Sequence, residues 1–219
     1  MTYHSPLATR NNEEQTMRLD DVFIKLDHTT VYGKLAGEPS GTLVLGIHGW
    51  SQRNGWHTWE PLLRPFGEAS FCAVSVDMPG WGDSPAIGHL PLLGDTAVST
   101  TITIINKLQK GTAVLMGKSW GGGVALATAL AHPERISHLI LTAPAYRDLD
   151  KLAHLTQPVL LVWAKDDPVI PYSRAGELVE AIPNATLISY DSGGHSAAPK
   201  NAAHFAPQAI EFLKRGSNE

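Results

Sequence analysis

Residues Ala113 to Leu130 read AVLMGKSWGGGVALATAL. The run Ala113 to Met116 is apolar, rich in β-forming residues and bounded by Gly111 and Gly117, so it predicts a buried strand. Gly117-Lys118-Ser119-Trp120-Gly121 turns the chain, and the small-residue run beyond it predicts a helix. This is a G-x-S-x-G pentapeptide between a strand and a helix, the context of a nucleophile elbow. A serine at the tip of so tight a turn takes a strained backbone conformation, and bulky neighbours would collide there. In return its hydroxyl stands clear of the sheet, before a helix N-terminus that favours developing negative charge.

Outward from this unit, apolar runs and helical periods alternate. Met17 to Asp27 and Thr29 to Ala36 predict two strands joined by a turn, an antiparallel hairpin at a sheet edge. Thr42 to Ile47 is a short, continuously apolar strand suited to a sheet covered on both faces, and Phe71 to Val76 is another buried strand. Ile136 to Ala143, Val159 to Ala164 and Thr186 to Tyr190 predict the remaining strands. Between them, Trp56 to Phe66, Gly94 to Leu108, Ser173 to Ala181 and Asn201 to Arg215 have helical spacing, while Tyr146 to Leu155 is short and polar. Strands alternating with helices at this spacing imply a mostly parallel sheet with helices on both faces, an α/β fold. In such a sheet ligands bind at the carboxyl ends of the strands. Those ends carry His48-Gly49-Trp50, Asp77 to Ser84, Ser119, Asp166-Asp167 and, after the last strand, Gly193-Gly194-His195.

Composition bounds the function. At 219 residues the chain suits one domain, residues 17–219, behind a polar stretch over 1–16 that reads as a flexible N-terminal arm. A net charge of −4 with no lysine or arginine cluster argues against nucleic acid as a partner. No apolar run approaches the roughly 18 residues of a membrane span. The first sixteen residues lack the apolar segment of a secretory signal. The single cysteine, Cys72, excludes an intramolecular disulfide and, within a strand, reads as a buried small hydrophobe. These features together predict a cytoplasmic location.

With His48-Gly49, Asp77-x-x-Gly80-x-Gly82-x-Ser84, the elbow, Trp163 to Pro171 and Gly193-Gly194-His195 in one order, the chain resembles the α/β-hydrolase superfamily from about Val22 to Leu213. The resemblance implies an α/β-hydrolase fold and a cofactor-independent, metal-independent serine hydrolase. Ser119 would be the nucleophile and His195 the base that takes its proton. The acid that orients His195 is Asp167 by the family's register, because Ala164 ends the strand and Val169-Ile170-Pro171 follows; Asp166 is then a solvated loop residue. Asp148, after the preceding strand, is the alternative acid. The resemblance also implies an oxyanion hole from the backbone N–H groups of Trp50 and Trp120, and a structural role for His48 in its loop.

Relatives with aspartate or cysteine at the nucleophile position, the haloalkane dehalogenases and dienelactone hydrolases, differ from this chain. Proline iminopeptidases share Ser-Trp-Gly but carry a His-Gly-Gly-Pro-Gly loop and a helical cap that have no counterpart here. Only about fifteen residues separate the strands ending near Ala143 and starting near Val159, too few for a cap domain, so the site should be shallow and open. Trp81, Tyr146 and the loop from Ser51 to His57 are candidates to wall it, and each would serve equally as scaffold. The expected substrate is a small ester, or an acyl group presented on a larger molecule. An amide or acyl-lysine deacylase and an acyltransferase are the rivals on the same triad. A ligand- or partner-binding protein on a hydrolase fold is the rival of another class. Oligomeric state is not legible.

Overall fold

The computed structural model describes residues 17–88 and 92–215. The expected arm over residues 1–16 lies outside them. Among the described residues eight strands form one sheet: β1 (Asp20–Lys25), β2 (Thr30–Ala36), β3 (Leu43–Ile47), β4 (Cys72–Val76), β5 (Ala113–Lys118), β6 (Ile136–Thr142), β7 (Val159–Ala164) and β8 (Ala185–Tyr190). Their order across the sheet is β1-β2-β4-β3-β5-β6-β7-β8. β1 pairs antiparallel with β2, and β2 with β4, while all other pairs are parallel.

Among the described residues seven helices cover the sheet: α1 (Glu60–Glu68), α2 (Gly94–Lys107), α3 (Trp120–Ala131), α4 (Leu149–Leu152), α5 (Ser173–Ala181), α6 (Ala197–Lys200) and α7 (Ala202–Arg215). Because strand side chains alternate in direction, each central strand must feed two cores. Leu45, Leu115, Leu139 and Leu141 pack on one face with Ile104, Ile105, Leu126 and Leu178. Val44, Val114, Met116 and Ile140 pack on the other with Trp59, Phe66, Phe205 and Leu213. This explains the continuous apolar runs: a polar residue in β3, β4 or β5 would be buried whichever way it pointed. Cys72 is buried and free, in keeping with its reading as a small hydrophobe.

The sequence merged two features and missed a third. The helix expected over 56–66 is a 3₁₀ turn, Trp56–Trp59, followed by α1, which contains Pro61 and Pro65. The closing helix is preceded by the separate four-residue α6. Between β6 and β7 the chain carries only α4, so no cap domain is inserted there. No described helix is long and apolar enough to cross a membrane.

Topology positions the site. From β3 the chain steps to β4 on one side and then returns to β5 on the other, so the winding reverses at the β3–β5 pair. Their parallel register sets Ile47 beside Gly117. The loops leaving the two strands, His48-Gly49-Trp50 and the Ser119 elbow, therefore open a crevice at the switch point, where an open α/β sheet receives ligands.

Candidate active site

Ser119 has φ 53° and ψ −117°, a conformation that L-residues rarely hold. Three main-chain bonds hold it there. Its N–H donates to the Thr142 carbonyl at 3.0 Å, and its own carbonyl accepts from Gly123 at 3.0 Å and Ala145 at 2.8 Å. The flanking glycines are dictated by close approach. A Cβ on Gly117 would lie 2.5 Å from the Gly121 carbonyl oxygen, and one on Gly121 would strike the carbonyl oxygens of Ile47 and His48. The motif glycines therefore bring α3 against the end of β3.

His195 and Asp167 arrive from the β8 and β7 ends. His195 Nδ1 is 2.8 Å from Asp167 Oδ2, and the Asp167 side chain is fully buried. Its other oxygen, Oδ1, accepts the N–H groups of Val169 at 2.8 Å and Ile170 at 3.1 Å. With both oxygens engaged as acceptors, the carboxylate holds the histidine proton on Nδ1, leaving Nε2 as the free lone pair. Among the described residues, Nε2 is buried and has no hydrogen-bond partner. A buried, unpartnered acceptor is costly in a purely structural role and is what a proton-accepting base requires.

Asp166 is a solvated loop residue, as the sequence leads one to expect, but it also has partners. It is exposed, but its carboxylate accepts the N–H groups of Gly194 at 2.7 Å and Gly193 at 3.3 Å. It thereby braces the turn that presents His195, an assignment invisible in the sequence because donor and acceptor are 27–28 residues apart. Asp148 is paired with Lys151 at 2.8 Å and is not among the partners of His195.

The main-chain N–H groups of Trp50 and Trp120 have no hydrogen-bond partner among the described residues. Trp120 opens α3, where first-turn N–H groups lack intrahelical acceptors. The indoles of Trp50 and Trp120 meet with ring centroids 5.6 Å apart. Trp81 stacks on Trp120 at 4.9 Å, and its indole N–H donates to the Trp50 carbonyl at 2.9 Å. Only 3% of Trp81 is exposed, so of its two expected readings, pocket wall or scaffold, its burial fits the scaffold, a brace under the Trp50 loop. Trp50 is 45% exposed.

His48 supports the same loop. Its Nε2 accepts the Met78 N–H at 3.0 Å, which leaves the proton on Nδ1, 2.7 Å from the Gly49 carbonyl. Burial pushes the His48 pKa down to about 4. The unfolded chain protonates this ring near pH 6.5 whereas the folded protein resists until about pH 4, so the unfolded state binds more protons between those values. Stability from this group is therefore complete above pH 6.5 and is lost as pH falls toward 4, by about 3 kcal/mol. Urea denaturation at a series of pH values should show that decline, and His48→Asn should flatten it.

The Asp77 motif is structural too. Asp77 is buried and accepts the N–H groups of Trp56 at 2.6 Å and Asp83 at 3.0 Å, while Ser84 Oγ accepts the Tyr32 N–H at 2.8 Å. These bonds fix the loop that carries Trp81.

Two clefts adjoin the elbow. One of ≈ 170 Å³ is lined by Leu93, Trp120, Gly123, Val124, Ala145 and Tyr146. The other, ≈ 410 Å³, is lined by Pro144, Ala145, Tyr146, Arg147, Ile170 and Arg174. Tyr146 lines both clefts, whereas Trp81 lines neither. Among the described residues, no group of three or more His, Cys, Asp or Glu is placed to hold a metal ion.

Comparison with known proteins agrees with the fold. The family model described as alpha/beta hydrolase fold matches residues 42–156, and one described as TAP-like protein matches residues 138–219. A 2-hydroxy-6-oxononadienedioate/2-hydroxy-6-oxononatrienedioate hydrolase of Burkholderia vietnamiensis is 24% identical, covering 82% of this chain and 89% of that protein. That alignment runs over 257 positions, more than this whole chain, so the relative carries residues that this one lacks. A 2-hydroxymuconate semialdehyde hydrolase of a Pseudomonas species is 32% identical over 53% of this chain and 40% of its own. Among solved structures, a "predicted CIB-like hydrolase" from Thermoplasma acidophilum superposes with a TM-score of 0.83 at 22% identity, covering 91% of this chain and 99% of that one.

Proposed function

The chain belongs to the α/β hydrolase fold family, and on that premise we propose that it is a serine hydrolase cleaving carboxylic esters through an acyl-enzyme. The relatives, hydrolases by name, support hydrolase chemistry. The observation that carries the finer reading is the 2.8 Å contact between His195 and the buried Asp167, which leaves Nε2 free at the same rim as Ser119.

The geometry implies the following course. Ser119 Oγ attacks the ester carbonyl carbon while its proton passes to His195 Nε2. The oxyanion takes hydrogen bonds from the N–H groups of Trp50 and Trp120, each such donor being worth about 2.7–4 kcal/mol in the transition state. Asp167 holds the ring and stabilises the imidazolium. The tetrahedral intermediate collapses by breaking the bond to the alcohol oxygen, which receives the proton from Nε2. Water then repeats the sequence on the acyl-enzyme, releasing the acid and restoring Ser119. The ≈ 170 Å³ cleft beside the elbow is smaller than a drug-sized pocket and suits a short acyl group. Trp120 and Tyr146 would flank it.

A second reading, hydrolysis of a 2-hydroxy-6-oxo dienedioate, is favoured by the name of the relative that covers most of the chain. Side-by-side turnover of p-nitrophenyl acetate and such a dienedioate distinguishes the two. The test of the shared mechanism is labelling by a fluorophosphonate probe with the modified peptide mapped by mass spectrometry. Modification at Ser119 is expected. A folded protein that does not react would place it instead with proteins that bind ligands on this fold.

A further inference from the structure

The cleft of ≈ 410 Å³ has no part in the mechanism above. The segment that follows β6 lines it with Pro144, Ala145, Tyr146 and Arg147, and the segment entering α5 lines it with Ile170 and Arg174. Both segments are tied to the proposed catalytic residues. The Ala145 N–H donates to the Ser119 carbonyl at 2.8 Å, and the Ile170 N–H donates to Asp167 Oδ1 at 3.1 Å. Ala145 and Tyr146 also line the ≈ 170 Å³ cleft, so the two clefts adjoin beside the elbow.

Charge separates them. The residues lining the smaller cleft include no ionisable group except the Tyr146 phenol, whereas the larger cleft carries two guanidiniums. Arg174 is half-buried; its Nη2 donates to the Tyr146 carbonyl at 3.0 Å and its Nη1 pairs with Glu177. A guanidinium offers five N–H donors, so these two bonds do not exhaust it. Arg147 is exposed, and among the described residues its guanidinium has no partner. The carboxylate next to it in the chain, Asp148, is paired with Lys151 at 2.8 Å. Only one of the two arginines is therefore matched by a carboxylate. Planar forked donors suit a carboxylate, and the apolar walls Pro144, Tyr146 and Ile170 suit the carbon skeleton that bears it.

We propose that Arg147 and Arg174 form a carboxylate subsite in this cleft, and that the leaving group of the ester is a hydroxy acid whose carboxylate they hold. The short acyl group fills the cleft beside Trp120, so the other half of the ester lies in the cleft on the far side of Tyr146. That half is the alcohol, which takes its proton from His195, the partner of the Asp167 that Ile170 braces. The assignment to the leaving group rests on the serine-hydrolase reading; the binding of a carboxylate does not.

The experiment has two arms on the intact protein. In the first, 4-hydroxybenzoate and the neutral 4-hydroxybenzamide are titrated by calorimetry into wild type, Arg147→Met and Arg174→Met. Wild type should bind the carboxylate about tenfold more tightly than the amide, and each variant should bind the carboxylate about tenfold more weakly than wild type. In the second, kcat/KM is compared for 4-acetoxybenzoate and 4-acetoxybenzamide. The intrinsic reactivities of the two esters cancel when the ratio in a variant is divided by that in wild type. The ratio of acid to amide should fall about tenfold in each variant. If Arg174→Met does not fold, Arg147→Met carries both arms, because its side chain is exposed.

Absence of 4-hydroxybenzoate binding in wild type, equal affinity for the amide, or binding unaltered by Arg147→Met would overturn the subsite. Arginine-dependent binding with neither ester cleaved would uphold the subsite and sink the hydrolase reading. Cleavage of both esters in a ratio that Arg147→Met leaves unchanged, without 4-hydroxybenzoate binding, would do the reverse.

Discussion

Replacing Ser119 with alanine is expected to reduce kcat for a short-chain ester by at least ~10⁴-fold, with little change in thermal midpoint. The loss is this large because no other hydroxyl occupies the tip of the elbow, and His195 cannot substitute for a nucleophile whose proton it is placed to take. Stability should hold because the conformational strain at φ 53° belongs to the backbone and is shared by serine and alanine. The bonds that restrain residue 119 run from its own N–H and carbonyl to Thr142, Gly123 and Ala145, and all survive the substitution. Ester turnover, fluorophosphonate labelling and a melting curve on the same preparation provide the check. Turnover within tenfold of wild type would remove Ser119 from the mechanism.

Asp167→Asn should be nearly as severe, about 10⁴-fold in kcat, for a reason that the hydrogen bonds make specific. Val169 and Ile170 both donate N–H groups to Oδ1. An asparagine must therefore turn its carbonyl oxygen toward them and its NH₂ toward His195 Nδ1. The histidine would then accept at Nδ1 and carry its proton on Nε2, the nitrogen that must be bare to receive the serine proton. Nitrogen-15 NMR of the imidazole should report that tautomer change, while the fold remains intact. Asp166→Asn is the matched control: it retains a carbonyl acceptor for Gly193 and Gly194, and a loss of well under tenfold is expected. Equal losses at the two positions would mean that Asp167 acts by bracing its loop rather than by orienting the ring.

Much of the architecture was legible in the chain because the signals are local. A strand buried on both faces must be apolar almost throughout, so β3 and β7 are unbroken apolar runs, and β4 and β5 depart from one only at Ser75, whose hydroxyl donates to the Trp56 carbonyl, and at Lys118, where β5 ends. A backbone that approaches within contact of another must lack a Cβ, so Gly117 and Gly121 bracket Ser119. The gap between β6 and β7 was too short for a cap on length alone. Where sequence reading slipped, the determinant was elsewhere in the chain. Trp81 and Tyr146 were indistinguishable as aromatic loop residues. Only the stacking of Trp81 on Trp120 and its bond to the Trp50 carbonyl separate a buried brace from a cleft wall.

Sequence by itself determined the α/β class, the elbow and the chain order of Ser119, Asp167 and His195, because periodicity, turn chemistry and glycine placement are properties of neighbouring residues. Tertiary structure alone decided that Asp166 braces the His195 turn and that Trp81 is stacked on Trp120 as a buried brace. Those relations join loops from β4, β5, β7 and β8 across a rim, and side-chain charges and hydrogen-bond donors interact through distance in space, which the spacing of letters in a chain does not encode.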